Sequence, residues 1–160
     1  MKTKGFTLIE LLLVIGILVI LMAATIVAIN PFRQFALANN AARWSGATTI
    51  MDAVYQNVVD NAGTFTCPVA IPTTATIMAD PTTLPTGYDI CSCLVPTYLS
   101  TMPRDPQTGS YARCTDADPT NDPDYNTGYN ISRDATTGRI TVCAPDTQVP
   151  PETGTICVTR

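Results

Sequence analysis

The chain has 160 residues, of which 46% are hydrophobic and 14% are charged, and its formal net charge is -4. The hydrophobic residues are unevenly distributed, because residues 6–29 form an apolar run that contains a single charge, Glu10. The rest of the chain is rich in Thr, Pro, Asn, Asp and Gly, and its roughly 130 residues suffice for one small core. The composition therefore describes an apolar segment followed by one polar domain.

The residue types that are missing exclude several classes of function. Histidine is absent, which excludes imidazole bases, histidine-activated nucleophiles and histidine-ligated metals. Lysine occurs only at Lys2 and Lys4, which excludes Schiff-base and P-loop chemistry in the domain. After residue 5, seven arginines against 13 acids give a net charge of -6, so the chain has no strong nucleic-acid signature. We predict that the protein is not an enzyme.

Cysteine usage indicates an oxidising compartment. An even number of cysteines in a small exported domain favours disulfide bonds. A metal site is the alternative, but the two closest cysteines lack the usual two-residue spacer, and no histidine completes a ligand set. Excluding a strained bridge between Cys91 and Cys93 leaves 12 of the 15 possible pairings open. The six cysteines are Cys67, Cys91, Cys93, Cys114, Cys143 and Cys157.

The amino terminus combines a short basic start with an apolar run of membrane-spanning length. A secretory signal has an apolar stretch of about 7–15 residues and a small-residue cleavage site, and residues 6–29 fit neither feature. The run reaches the roughly 20 residues that a spanning helix requires. Lys2 and Lys4 predict a cytoplasmic amino terminus, with the polar domain across the membrane. Glu10 either lies solvated near the interface without a role, or neutralises a positive charge from another chain.

The start of the chain resembles the class III signal of type IV pilins and of type II secretion pseudopilins. The resemblance is carried by residues 4–10, Lys-Gly-Phe-Thr-Leu-Ile-Glu, and by the apolar run that follows them. The resemblance implies that a prepilin peptidase cleaves between Gly5 and Phe6 and N-methylates Phe6. It also implies that Glu10 contacts the amino terminus of a neighbouring identical subunit during assembly. The other implied partners are an inner-membrane assembly platform and its ATPase. An ordinary single-pass anchor is the alternative, and it would require neither Gly5 nor Glu10.

The helix is predicted to continue beyond the apolar run, as far as residue 61. Pro31 favours a kink, and Gly16 is a second candidate weak point. Apolar residues at three- and four-residue spacing predict an amphipathic helix with a stop signal at residues 60–63. Its apolar face comprises Phe32, Phe35, Ala36, Ala47, Ile50, Met51, Val54, Tyr55 and Val58, with Asp52, Gln56, Asn57 and Asp60 placed on the other side.

The rest of the chain predicts a small antiparallel sheet with irregular connections. Residues 67–87 have little periodicity and predict a surface connection. Alternating apolar residues predict strands at 128–132, 139–143 and 155–159. Cys143 and Cys157 then lie on the side opposite the apolar residues, where a cross-strand bridge is conceivable. The predicted fold class is α+β, a long amino-terminal helix packed on three or four antiparallel strands with disulfide-stabilised loops.

Four segments follow from these patterns: a leader at 1–5, a hydrophobic transmembrane or filament-core helix at 6–30, the amphipathic half of the helix at 31–62 and a disulfide-containing head at 63–160. Within the head, residues 98–106 resemble the Tyr-Leu…Pro-x-Asp-Pro segment that precedes the sheet in the major pseudopilin and related major pilins. The position of Asp105 between two prolines also predicts a turn in which its carboxylate accepts hydrogen bonds from nearby backbone N–H groups.

Residues 116–126 are dense in oxygen ligands and form the one candidate cofactor site. Calcium requires such ligands around a single point. The sequence does not match the EF-hand pattern. In a loop counted from Asp122, Thr127 occupies the position of the required glycine, and Arg133 occupies the position of the closing acid. The two prolines also suit an exposed loop. The calcium candidates are Asp116, Asp118, Asp122 and Asp124, and no other cofactor is predicted.

The predicted function is that of a structural subunit of a type IV pilus-like filament, which serves adhesion, motility or DNA uptake. The precursor would cross the inner membrane once, with its amino terminus in the cytoplasm, and the mature subunit would end in an extracellular filament. One alternative is the major pseudopilin of a type II secretion system. Another is a minor or tip subunit with a binding role.

Overall fold

The structure is a computed structural model, and it describes residues 5–82, 84–111, 114, 125–148 and 154–160. The chain divides into two compact units, one that ends at Ala36 and one that begins at Leu37. Helix α1 spans Leu8–Ile29 and helix α2 spans Pro31–Asp60, so α2 begins in the first unit and continues through the second.

A single residue, Asn30, separates the two helices. Asn30 adopts the left-handed conformation with φ of 47°, which asparagine tolerates better than most residues, and it caps the carboxyl end of α1. Pro31 occupies the first position of α2, where its missing N–H leaves no hydrogen bond unmade. The interruption thus falls one residue before Pro31. Helix α1 runs through Gly16 without a break.

Helix α2 ends in a Schellman motif. The N–H of Gly63 donates to the carbonyl of Val58 over 2.8 Å, while Ala62 adopts a positive φ of 54°. The N–H of Asn61 donates to the carbonyl of Asn57, which completes the last α-helical turn. The end of the helix therefore lies at the residues that the sequence indicates.

A five-stranded antiparallel sheet forms the second layer. The strands are β1 (Thr76–Ala79), β2 (Ser110–Tyr111), β3 (Tyr125–Arg133), β4 (Ile140–Ala144) and β5 (Ile156–Thr159), and the short helix α3 spans Cys91–Leu94. The order across the sheet is β1-β3-β4-β5, and β2 also pairs with β3. Val142 lies opposite Ile131 on one side and Val158 on the other, which aligns the apolar positions of the three predicted strands.

The core lies between α2 and the sheet. From α2 it takes Ala47, Ile50, Met51 and Val54, which are fully buried. The sheet contributes Tyr129, Ile131, Ile140, Val142 and Ile156. The α+β prediction, with a long helix packed on an antiparallel sheet, is confirmed.

Four details differ from the sequence prediction. The sheet has five strands instead of three or four, because β1 and the two-residue β2 both pair with β3. Residues 67–87 contain β1, whose four residues show too short an alternation to detect and owe their structure to pairing with β3. Phe32 and Phe35 are exposed rather than buried, because the core on α2 begins further along the helix. Asn57 is buried rather than exposed, and hydrogen bonds to the backbone of Thr66 satisfy its side-chain amide there. Its Oδ1 accepts from the Thr66 N–H over 2.8 Å, and its Nδ2 donates to the Thr66 carbonyl over 3.2 Å.

Candidate functional site

Residues 5–7, which immediately precede α1, are exposed to solvent. The side chain of Phe6 is 88% exposed, and a side chain built at Gly5 would meet no atom within 4 Å. Residues 5–7 belong to no helix or strand. Lys2 and Lys4 lie outside the described residues.

Thr7 and Glu10 form a capping box at the start of α1. The Thr7 backbone N–H and its hydroxyl each donate to Oε2 of Glu10 over 2.8 Å, and the Glu10 N–H donates to the Thr7 hydroxyl over 3.3 Å. The arrangement satisfies orphan donors of the first helical turn. The sequence carries its signature, Thr-x-x-Glu before an apolar run, and the sequence interpretation of Glu10 missed it.

Glu10 is the single charge on a helix that is otherwise apolar. None of the residues of α1 is buried, and sixteen of its large apolar side chains are exposed. At about 1.5 Å per residue, the 22 residues of α1 extend about 33 Å, which matches the hydrocarbon core of a bilayer. Among the described residues, α1 is the one helix that is long and apolar enough to cross a membrane.

All six cysteines are paired in the structure, and no described cysteine is free. Cys67 bonds to Cys93 and Cys91 bonds to Cys114, so α3 holds two separate parts of the chain. Cys143 and Cys157 face each other in the register of β4 and β5 and form the third bridge. The sequence left the first two pairings open, because they depend on how the loops fold.

A buried ion pair links α2 to the segment at residues 98–106. Arg43 donates from Nε to Oδ2 of Asp105 over 2.5 Å and from Nη2 to Oδ1 over 3.2 Å, and neither side chain is exposed. Arg43 also donates from Nη1 to Asn40 over 3.0 Å and from Nη2 to Gln107 over 3.3 Å. The sequence predicted the backbone partners of Asp105 and missed Arg43, although position 43 lies four residues before Ala47 on the buried face.

The calcium candidates Asp116, Asp118, Asp122 and Asp124 lie outside the described residues. Within the part of the chain that the structure describes, no group of three or more cysteine or acidic side chains could hold a metal ion. Within the described residues, the capped amino terminus and its apolar helix are therefore the candidate functional site.

Comparison with known proteins finds similarity in the same amino-terminal segment. The family model described as the prokaryotic N-terminal methylation motif matches residues 1–26, which include the exposed glycine, the capping box and most of α1. No curated protein and no solved structure matches the chain. The motif is that of a class III signal, which implies processing by prepilin peptidase, and the apolar helix fits membrane anchoring before assembly. The amino terminus is therefore that of a type IV pilin-like or pseudopilin precursor.

Proposed function

We propose that the mature chain is a structural subunit of a type IV pilus-like filament, which polymerises through its amino-terminal helix. The observation that carries this proposal is the complete exposure of α1, whose sixteen exposed large apolar side chains have no covering within the described residues. Burial of one such side chain contributes about 1.5–3 kcal/mol. A helix that leaves the bilayer therefore needs an apolar filament core around it to stay out of water.

The capping box supports a specific role for Glu10 in that assembly. Both hydrogen bonds from Thr7 fall on Oε2, and among the described residues no donor is bonded to Oε1. The carboxylate could therefore keep its cap and still accept the Phe6 ammonium of a neighbouring subunit. Two opposite charges that are each costly in an apolar helix bundle stabilise one another when paired.

Mass spectrometry of the mature chain tests the proposal most directly. We expect a 155-residue product that begins at a methylated Phe6 and contains three disulfides. Gly5→Leu should leave the 160-residue precursor in the membrane, whereas Gly16→Ala, a matched glycine substitution in an open position, should be processed normally. Processing of Gly5→Leu to a chain that begins at Phe6 would contradict the proposal.

The major pseudopilin of a type II secretion system is the second candidate. The observation behind it is the resemblance of residues 98–106 to the segment that precedes the sheet in the major pseudopilin. In this chain Asp105 of that segment is buried and anchors the turn to α2. A pilus subunit would form long surface fibres that antibodies against the head decorate. A pseudopilin would instead remain in a short periplasmic assembly, and its deletion would block export of secreted proteins.

A further inference from the structure

A cleft of about 370 Å³ lies between the last turns of α2, the connection at residues 63–71 and the hairpin that joins β3 to β4. Its lining is mainly apolar. It includes two buried core residues, Ile71 and Ile140, and the partly buried side chains of Tyr55, Val58 and Phe65. A cleft of this size, with apolar and aromatic walls and few polar groups, is typical of a site for a small molecule.

Arg133 is the one charged residue among the described residues that line the cleft. Tyr129 and Ile131 of β3 are fully buried, and the alternation of a strand places Arg133 on the same side of the sheet, which faces α2. A row of core residues therefore ends in an exposed arginine at the cleft. Its guanidinium lies against Gly138, because a β-carbon built there would be 3.6 Å from Nη2 and 3.9 Å from Nε.

The guanidinium of Arg133 has no counter-charge within the described part of the chain. Its side chain makes no ion pair or hydrogen bond with the residues that the structure describes. The neighbouring acid, Asp134, instead accepts the backbone N–H groups of Thr136 and Thr137 over 2.8 and 2.7 Å. An unpaired arginine is notable in a chain whose net charge after residue 5 is -6. Its donors are therefore available to a ligand in the cleft.

Bonds within the chain hold the walls of the cleft in place. The backbone N–H of Arg133 donates to the carbonyl of Pro72 over 2.8 Å, which ties the connection to β3. Oη of Tyr88 donates to the carbonyl of Val69 over 2.8 Å, and the disulfide at Cys67 fixes the same connection to α3. Because the cleft is preformed, a ligand that enters it does not have to order the connection first.

We propose that the cleft binds a small aromatic carboxylate, whose charged group pairs with the guanidinium of Arg133. A planar carboxylate matches the planar guanidinium, which donates two parallel hydrogen bonds to it. The single cation suits a ligand with one negative charge. The rings of Tyr55 and Phe65 favour a flat apolar body over a sugar or a polyol. The site lies entirely in the second unit, so the proposal goes beyond the proposed function and does not depend on polymerisation.

Nuclear magnetic resonance of the detergent-solubilised full chain tests the proposal with three probes at measured free concentrations. Phenylacetate carries both the ring and the carboxylate, phenylacetamide lacks the charge, and acetate lacks the ring. We expect phenylacetate to shift the amide signals of residues 63–71 and 133–140. It should bind about 10- to 100-fold more tightly than either other probe. Unshifted signals with phenylacetate, or an affinity for phenylacetamide or acetate equal to that for phenylacetate, would overturn the proposal.

A matched pair of arginine substitutions locates the charge that the ligand recognises. Arg133→Gln keeps the backbone hydrogen bond to Pro72, and it should bind phenylacetate only as weakly as phenylacetamide. Arg139→Gln is the control, because Arg139 lies on the same hairpin, is exposed and is not among the described residues that line the cleft. It should keep the preference for phenylacetate.

An unchanged preference in Arg133→Gln, or its loss in Arg139→Gln as well, would overturn the proposal. If Arg133→Gln does not fold, the comparison of the three probes on the wild type decides. Absence of filaments from a processed wild-type chain that still prefers phenylacetate would overturn the proposed function alone.

Discussion

The guanidinium of Arg43 and the carboxylate of Asp105 form a bidentate ion pair, although 62 residues separate them in the chain and neither side chain is exposed. The backbone N–H groups of Gln107 and Thr108 also donate to Asp105, over 2.8 and 3.0 Å. Burial raises the pKa of Asp105, but these hydrogen bonds outweigh that effect and hold the pKa below its usual value. The ionised carboxylate fastens the turn at residues 105–108 to α2.

The first prediction concerns the acid sensitivity of this link. Since the pKa of Asp105 is lower in the folded chain, the pair stabilises the fold fully above the unfolded value of about 4. That stability is lost as the pH falls through the folded pKa. Asp105→Asn should lower the free energy of unfolding near neutral pH by about 3–5 kcal/mol, because it leaves Arg43 buried without its counter-charge. Denaturant unfolding between about pH 3 and pH 7 measures both effects.

Asp134→Asn provides the control for that experiment. Hydrogen bonds from the backbone of Thr137 and Thr136 also lower the pKa of Asp134, but its side chain lies in an exposed turn. We therefore expect a much smaller loss of stability than for Asp105→Asn. Equal losses from the two substitutions would contradict a special role for the buried pair.

The prediction from sequence succeeded where local spacing decides the structure and failed where distant partners do. The apolar periodicity located the core positions of α2 and the three strands at the end of the chain. Arg43 and Asn57 occupy buried positions of the same helical face, yet both are polar residues that are usually exposed. Their burial depends on Asp105 and on the backbone of Thr66, which no pattern within the helix reveals.

The amino-terminal site was predictable because its information is contiguous. Gly5, Phe6 and Glu10 lie within six residues, and the capping box adds only Thr7. The disulfides of α3 were not predictable, because they depend on the path of two long connections. The bridge between Cys143 and Cys157 follows instead from strand register, and the sequence therefore suggested it.

The second prediction concerns the close packing of Gly46 on Tyr129. A β-carbon at Gly46 would lie 2.4 Å from Oη and 2.9 Å from Cζ of Tyr129, whose ring is fully buried. Gly46→Ala should therefore destabilise the head by about 1–3 kcal/mol, although alanine favours helix by about 1 kcal/mol over glycine. Thermal unfolding measures the effect.

Tyr129→Phe tests the same contact from the other side. Oη of Tyr129 is buried and has no hydrogen-bond partner among the described residues, so its removal should be neutral or stabilising. The double variant Gly46→Ala with Tyr129→Phe should recover part of the stability lost in Gly46→Ala. A strictly additive double-mutant cycle would show that the two residues do not interact.

The third prediction concerns the bridge between Cys67 and Cys93. It holds a connection without regular structure against α3, at a point where Asn57 also bonds Thr66. Replacement of both cysteines by serine should cost about 2–5 kcal/mol and should expose residues 63–75 to proteolysis. Replacement of Cys143 and Cys157 should leave this connection protected, because its bridge to α3 and its hydrogen bonds to Asn57 do not involve those two cysteines. Peptide mapping after limited proteolysis distinguishes the two pairs.

The last prediction separates the two roles of Glu10. Glu10→Gln retains an acceptor for Thr7 and so keeps the capping box, but it removes the charge. Thr7→Ala removes the cap, at a cost of about 0.5–2 kcal/mol to the helix, and keeps the charge. If Glu10 pairs with the Phe6 ammonium of a neighbour, Glu10→Gln should be processed but should form few filaments, whereas Thr7→Ala should still assemble. Mass spectrometry reports processing, and electron microscopy reports filament yield. The opposite result, with filaments from Glu10→Gln and none from Thr7→Ala, would assign Glu10 to the start of its own helix and leave the neighbour's ammonium without a partner.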